Sequence, residues 1–388
     1  MALSSPVREI SQTKPPAQSR SRRPVLIACI AAILLLGVGV ILGTSRKTTT
    51  ATSSGSRMGI FASVPTATPS PFPFQDMTIP YLREREYKSS LGDREVSYKG
   101  SNYTAYLTNY DSDGLKVNGL LTIPDGDPST RFDSARRAGS GQGEPAGGWP
   151  AIVFIHGYIP PTLYQTTQNY YDYVDYLARN GFVVFKIDLR GHGDSEGEAG
   201  GGYYGSDYVV DALNARAALQ SATFVNPDAV GLWGHSMAGN IVMRSLASKT
   251  DIPAGVIWAG AVYTYLDMQK YGIDDNSYRP SENNTQRLNR RRELFEKYGS
   301  PSASSVFWQQ VAPTNYLSDI KGAIQLNHAI DDAVVNIGYS HDLSALFDKT
   351  SVVHELNEYP SGGHNISGGS FVAAMNNTVQ FFKKYLNS

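Results

Sequence analysis

The sequence predicts an α/β fold built on a mostly parallel sheet with helices on both faces. Three observations carry this. Largely apolar runs (Ala151–Ile155, Phe182–Ile187, Gly255–Ala259) alternate with helical segments, the pattern of strands covered on both sides. The stretch Ala229–Arg244 reads as a short apolar strand, a tight small-residue turn carrying Ser236, and an apolar helix. Finally, residues 263–316 interrupt the alternation without clear strands, as an insertion over the strand ends would.

Composition bounds the rest. The 388 residues are 41% hydrophobic, enough for a sizeable core, and a formal charge of −1 gives no sign of a nucleic-acid or strongly acidic partner. Twenty-four tyrosines predict an aromatic surface or cleft lining. The sole cysteine, Cys29, lies in an apolar run, so everything after it must be stable without disulfides.

Residues 1–24 form a basic tail, with Arg8, Lys14, Arg20, Arg22 and Arg23 against the single acid Glu9. Val25 to Leu42 is uncharged and mostly aliphatic, and a helix of that length spans about 27 Å, close to a bilayer's hydrocarbon thickness. We read 25–43 as a transmembrane signal anchor rather than a cleaved signal peptide, because no small-residue cleavage site is evident. Lipidation at Cys29 is disfavoured, since the apolar run continues past it. The basic excess before the span predicts a cytoplasmic N-terminus and an extracytoplasmic remainder. Residues 44–75, rich in Thr, Ser and Pro, cannot bury a core and read as an extended linker.

A single globular domain is expected over 76–388. Tyr103–Tyr110 and Leu115–Ile123 alternate like paired strands around the turn Asp111-Ser-Asp-Gly114. A loop over about 125–149 leads to strand Ala151–Ile155 and the turn His156-Gly-Tyr158. A helix near Tyr170–Arg179 precedes strand Phe182–Ile187 and the loop Asp188-Leu-Arg-Gly-His-Gly-Asp-Ser195. Next come a helix near Asp207–Leu219, the Ser236 turn, and strand Gly255–Ala259. After a lid at about 263–316, containing a charged helix over Gln286–Tyr298, the pattern resumes. It gives strand Ala323–Asn327, helix Tyr339–Phe347, strand Val352–Leu356 and helix Phe371–Tyr385.

The Ser236 turn has the layout of a nucleophile elbow, with Gly234 and Gly239 giving room for close strand–helix approach and Ala238 where the G-x-S-x-G pattern has its second glycine. A serine hydroxyl needs a positioned base, and the base an orienting carboxylate. Among seven histidines, His235 adjoins the serine and points elsewhere, while His156 and His192 suit turn or supporting roles. His341 and His354 suit structural ones on a helix and a strand. His364, in the flexible turn Ser361-Gly-Gly-His-Asn365 past the last strand, is the candidate base. The loop after strand Ala323–Asn327 offers Asp331 and Asp332 as the acid.

The order Ser236, acid, His364 matches the α/β-hydrolases, and the local motifs over about 95–386 resemble the catalytic domain of the prolyl oligopeptidase family of serine peptidases and related esterases. That family's acid loop runs His-Gly-x-x-Asp-x-x-Val-Pro. Laid on His328-Ala-Ile-Asp-Asp-Ala-Val-Val-Asn336, it implies Asp332 as the acid, with Ala329 and Asn336 replacing the usual Gly and Pro. The resemblance also implies a structural role for Asp188–Ser195. For the oxyanion hole, the N–H of Met237, next after the nucleophile, is one donor. The family's His-Gly turn implies Tyr158 N–H as the other.

Gly200-Gly-Gly-Tyr-Tyr-Gly205 lacks the Lys-Ser/Thr of a phosphate loop and reads as a mobile rim with Tyr203 and Tyr204 facing the cleft. No spacing suggests a metal, and no cofactor is expected. Arg290-Arg-Arg292 reads as a solvated helix face. The sequence thus points to a membrane-tethered serine hydrolase acting on a small-molecule or short-peptide substrate, leaning to peptides by resemblance. A carboxylesterase is the alternative, and a non-catalytic surface binding module a second one.

Overall fold

The computed structural model describes residues 72–126, 147–274 and 285–386. The expected tail, transmembrane segment and nearly all of the linker lie outside these residues. Among the described residues, no helix is long and apolar enough to cross a membrane.

In chain order the strands are β1 (Glu95–Lys99), β2 (Tyr103–Ser112), β3 (Leu115–Pro124), β4 (Trp149–Ile155), β5 (Val183–Ile187), β6 (Val225–His235), β7 (Ala254–Trp258), β8 (Ala323–Ala329) and β9 (His354–Tyr359). The helices are α1 (Ile79–Glu84), α2 (Tyr171–Arg179), α3 (Asp207–Gln220), α4 (Ala238–Ser248), α5 (Asp267–Tyr271), α6 (Thr285–Tyr298), α7 (Val306–Val311), α8 (Gly338–Phe347) and α9 (Phe371–Leu386). One sheet runs β1-β2-β3-β5-β4-β6-β7-β8-β9. β1, β2 and β3 are joined antiparallel to one another and to β5, and everything from β5 to β9 is parallel.

The period-2 geometry of β4 shows why its apolar run is continuous. Ala151, Val153 and Ile155 enter one core, with Val209, Leu213 and Ile241 from α3 and α4. Ile152 and Phe154 enter the other, with Val174, Leu177, Met375 and Phe382 from α2 and α9. A strand buried on both faces has no polar side to show.

β8 reaches the same burial differently. Gln325, Asn327 and His328 are all fully buried, and each is hydrogen-bonded: Gln325 donates to Glu355 at 2.7 Å, Asn327 accepts from the Tyr359 hydroxyl at 2.8 Å, and His328 Nδ1 meets Ser340 Oγ at 2.8 Å. Buried polar groups cost little only when partnered in this way.

Three expectations are revised. β9 begins at His354, two residues later than the alternation suggested, because Val352 and Val353 still belong to the connection from α8. Several tyrosines are core residues rather than surface or cleft lining: Tyr103, Tyr110, Tyr263, Tyr265 and Tyr339 are buried. The sequence also gave no sign of β1, α1, α5 or α7, all of six residues or fewer and so too short for a periodicity to register.

The loop Asp188–Ser195 is locked from below. Arg190 reaches the fully buried Asp211 on α3 with its Nη2 at 2.6 Å and its Nε at 3.0 Å, and Ser112 Oγ donates to the same carboxylate at 2.7 Å. We therefore expect Asp211→Ala, which takes the main partner from a buried guanidinium and leaves it Asp207 at 3.3 Å, to cost about 3 kcal/mol. Urea denaturation should find the double variant Arg190→Met, Asp211→Leu closer to wild type than either single change.

Candidate active site

Every sequence-predicted site residue follows the C-terminal end of a parallel strand. Tyr158 comes after β4, Ser236 and Met237 after β6, Asp332 after β8 and His364 after β9, the edge where open parallel sheets place their sites.

Ser236 sits between β6 and α4 with φ of 56°, a left-handed conformation rarely adopted by a side-chain-bearing residue. Its N–H donates to the Trp258 carbonyl at 2.9 Å and its own carbonyl accepts from Gly239 N–H at 2.9 Å, which holds the turn on both sides. The turn needs the space its glycines leave. A Cβ on Gly234 would lie 2.8 Å from the Ala238 carbonyl oxygen, and one on Gly239 would lie 2.7 Å from the Gly260 Cα. Ala238 points its methyl group into the core, where it is fully buried.

His364 lies in a short 3-10 turn, Gly363–Asn365. Gly362 and Gly363, with φ of 128° and 59°, let the chain double back there. Its Nδ1 is 2.8 Å from Asp332 Oδ2. The two acids offered by the sequence divide the work. Asp331 accepts the backbone N–H groups of Gly362 and Gly363 at 3.2 and 2.8 Å and so grips the turn. Asp332 meets the ring.

The Asp332 side chain is fully buried. Its Oδ1 accepts from Val334 and Val335 N–H at 2.8 and 3.0 Å, and its Oδ2 also lies 3.2 Å from His328 Nε2. Burial alone would raise its pKa, but the hydrogen bonds from His328, His364 and Val335 outweigh it and hold the carboxyl well below its ordinary range. The carboxylate is therefore ionised at neutral pH.

The His156-Gly-Tyr158 turn packs directly on the elbow. A Cβ on Gly157 would lie 3.1 Å from the His235 carbonyl oxygen, and Gly157 N–H donates to the Tyr170 hydroxyl at 3.0 Å. That brings the backbone after β4 beside the backbone after β6. Met237 caps α4 and is nearly buried, at a helix start where backbone N–H groups have no partners within the helix.

Behind this turn lies a buried polar group that the sequence did not indicate. Tyr164 donates to Asp188 Oδ1 at 2.6 Å and accepts from Lys186 Nζ at 2.8 Å, while Thr166 donates to Asp188 Oδ2 at 2.6 Å. Burial pushes Lys186 down to about 8 despite the nearby Asp188. His156 packs on Tyr164 with ring centroids 4.4 Å apart, and the His192 ring nitrogens lie 3.3 and 3.1 Å from the backbone carbonyls of Arg190 and Ile159, which can only accept. Both serve the supporting roles their positions suggested.

The Gly200–Gly205 reading is corrected. Tyr203 is buried in the core, and a Cβ on Gly201 would lie 2.8 Å from the Tyr208 backbone nitrogen, so that glycine serves close packing. A Cβ on Gly202 would lie 3.2 Å from the Met237 sulfur. Tyr204 is half-buried between the Phe295 ring and the Arg291 guanidinium, 5.5 and 5.2 Å away. The Arg290-Arg-Arg292 run divides: Arg290 is half-buried and pairs with Asp76 at 2.8 Å, while Arg291 and Arg292 lie on the exposed face. Among the described residues, no group of His, Cys, Asp and Glu could hold a metal ion.

Sequence reasoning misses Tyr170, and it gives no sign of the contacts that His235 and Asp331 make. Tyr170 Oη is 2.7 Å from His235 Nδ1, and His235 Nε2 is 2.8 Å from the His364 carbonyl oxygen. The His235 and His364 rings lie 4.6 Å apart, which brings the turn after β9 against the residue preceding Ser236. No sequence signal marks Tyr170, since its partner is 65 residues away.

Comparison with known proteins agrees with the fold. Residues 150–274 match the family described as serine aminopeptidase, S33. Among solved structures, acetyl xylan esterase 1 from Thermoanaerobacterium is similar at a TM-score of 0.52 and 17% identity, covering 80% of this chain and 91% of that one. The Est1E protein of Butyrivibrio proteoclasticus, solved with ferulic acid, is similar at a TM-score of 0.52 and 15% identity, with 72% and 98% covered. Dipeptidyl peptidase 4 of Porphyromonas gingivalis gives 0.51 and 16%, but only 36% of that longer chain is covered. The architecture these share with the present chain is the α/β-hydrolase fold.

The buried imidazoles make stability depend on pH. Burial, reinforced by the nearby His364, pushes His235 down to about 3 from an ordinary 6.5, and burial drives His156 well below its usual range. The unfolded chain therefore takes up protons that the folded chain refuses. Their contribution is intact above about pH 6.5 and is lost as pH falls towards the folded values, at no more than about 1.4 kcal/mol per pH unit for each ring. Urea midpoints should fall between pH 7 and 5, and His235→Gln should flatten that slope.

Proposed function

We propose that this chain of α/β-hydrolase fold is a serine hydrolase that cleaves small acyl esters through an acyl-enzyme. The observation that carries the reading is the 2.8 Å contact between His364 Nδ1 and the buried, ionised Asp332, on a turn that abuts the strained elbow of Ser236. With its Nδ1–H held by Asp332, the imidazole presents a bare Nε2 as base.

Ser236 Oγ adds to the substrate carbonyl as its proton passes to His364 Nε2. The carbonyl oxygen takes the negative charge and receives N–H groups from Met237 and Tyr158. When the intermediate collapses, His364 returns the proton to the departing alcohol, leaving an ester on Ser236. Water, deprotonated by His364, adds to that ester, and the acid is released as Ser236 is reprotonated. Asp332 stays ionised throughout and stabilises the imidazolium.

Ester substrates are favoured because the similarity to the esterases extends over almost the whole of those chains. Small peptides are the second reading, supported by the aminopeptidase family matched over 150–274 and by the prolyl oligopeptidase resemblance of the acid loop. The segment between β7 and β8 would serve as the lid that selects among them. Attachment by a signal anchor over 25–43, with the hydrolase outside the cytoplasm, is part of the same proposal and rests on the apolar run and its basic flank.

A fluorophosphonate probe should label the wild type and leave Ser236→Ala unlabelled. Asp332→Asn, which favours the wrong tautomer of His364, should lower kcat by roughly 10⁴-fold. A panel of acyl-nitrophenyl esters and aminoacyl- or prolyl-anilides then divides the two readings. Fast turnover of esters alone is expected, and anilide cleavage at comparable kcat/KM would favour the peptidase.

A further inference from the structure

We infer that Tyr170 and His235 act as positioning residues, forming a hydrogen-bonded bridge that fixes the loops of Tyr158 and His364 relative to Ser236. The inference rests on the reading of the site given above and deepens it.

The directions of the bonds follow from the partners. The His364 carbonyl can only accept, so His235 Nε2, 2.8 Å away, carries the hydrogen. The neutral ring then has a bare Nδ1, which accepts from the Tyr170 hydroxyl at 2.7 Å. The Tyr170 oxygen keeps a lone pair for Gly157 N–H at 3.0 Å. One tautomer and one hydroxyl rotor satisfy all three contacts. The bridge thus runs from the backbone beside Tyr158, through the side chain preceding Ser236, to the backbone of His364 itself.

Topology explains why such a link matters. In the sheet β7 and β8 stand between β6 and β9, so no strand pairing ties the turn of His364 to the elbow. The His235 ring crosses that gap. Tyr170 is itself held by rings: Phe154 and Trp233 lie edge-on to it at 5.4 and 6.1 Å, and Phe154 stacks on Trp233 at 4.0 Å. From α2, which begins at the residue after Tyr170, Tyr173 donates to the Asn365 carbonyl at 2.7 Å, a second tie on the same turn. A displacement of the base or an oxyanion donor by a fraction of an ångström acts on the transition state more than on substrate binding. A purely structural network would instead affect stability and leave turnover alone.

The test uses the full chain with nitrophenyl acetate turnover, fluorophosphonate labelling and urea denaturation. An asparagine at 235 offers an acceptor near the Nδ1 position but cannot reach the His364 carbonyl, whereas a glutamine can place an N–H near the Nε2 position. Tyr170→Phe removes one hydroxyl and keeps the ring. We expect Tyr170→Phe and His235→Asn to lower kcat and the labelling rate roughly tenfold, with KM within about twofold, and His235→Gln to lose less than His235→Asn. The inference is overturned if Tyr170→Phe and His235→Asn keep kcat within about twofold. It is equally overturned if His235→Gln and His235→Asn lose kcat alike. Should His235→Asn fail to fold, Tyr170→Phe decides by the same criterion. Ser236→Ala separates the two levels. If that variant still turns over ester, the site reading falls; if it is inert while the bridge variants match wild type, only the bridge falls.

Discussion

The carboxylate of Asp332 is the constraint around which the site is arranged. It is fully buried and ionised, and two backbone N–H groups and two imidazoles converge on it. Such a group is tolerable in a protein interior only when its acceptor sites are occupied. The loop from Ala329 to Asn336 must therefore close on itself, and the turn after β9 must come to it. Asp331 gains its own role from this closure, because the residue next to a fixed carboxylate is carried to the Gly362–Gly363 backbone. The neighbouring strands β8 and β9 are in register up to Ala329 and Tyr359, so both loops leave the sheet at the same height.

The elbow is the second constraint, and it is met by a different means. Asp332 is stabilised by partners, whereas Ser236 is held in an unfavourable backbone conformation by what surrounds it. Trp258 and Gly239 pin its peptide groups, and the near contact of Gly239 with Gly260 brings α4 against the end of β7. The strain persists because these hydrogen bonds and close contacts over-determine the turn.

The centre of the sheet was legible because its strands are buried on both faces, and an apolar run such as Ala151–Ile155 has no other simple reading. The elbow was legible because small residues are demanded at fixed offsets from the serine. Asp332 and His364 were reached through chain order and a motif, and the carboxylate that meets the imidazole is the one the motif favoured. Side chains whose work depends on distant partners left no trace. Tyr170 is one tyrosine among 24, and nothing local distinguishes it from Tyr171 or Tyr173. His235 was seen and set aside because its ring points away from the serine, which is the very reason it can reach the His364 carbonyl. The glycines at 200–205 misled for a related reason: small residues serve tight packing as readily as movement, and the difference lies in neighbours far along the chain.

One feature of the fold has a mechanical consequence. The first described residues are fastened to α6: the Tyr298 hydroxyl donates to the Pro73 carbonyl at 2.6 Å, and Asp76 pairs with Arg290. Arg290 Nε in turn donates to the Tyr204 carbonyl, and two residues earlier Gly202 lies against Met237. Under the proposed N-terminal anchor, a pull passed along the chain to Pro73 and Asp76 would be borne first by the helix beside the Tyr203–Tyr204 segment and through it by the residue next to Ser236.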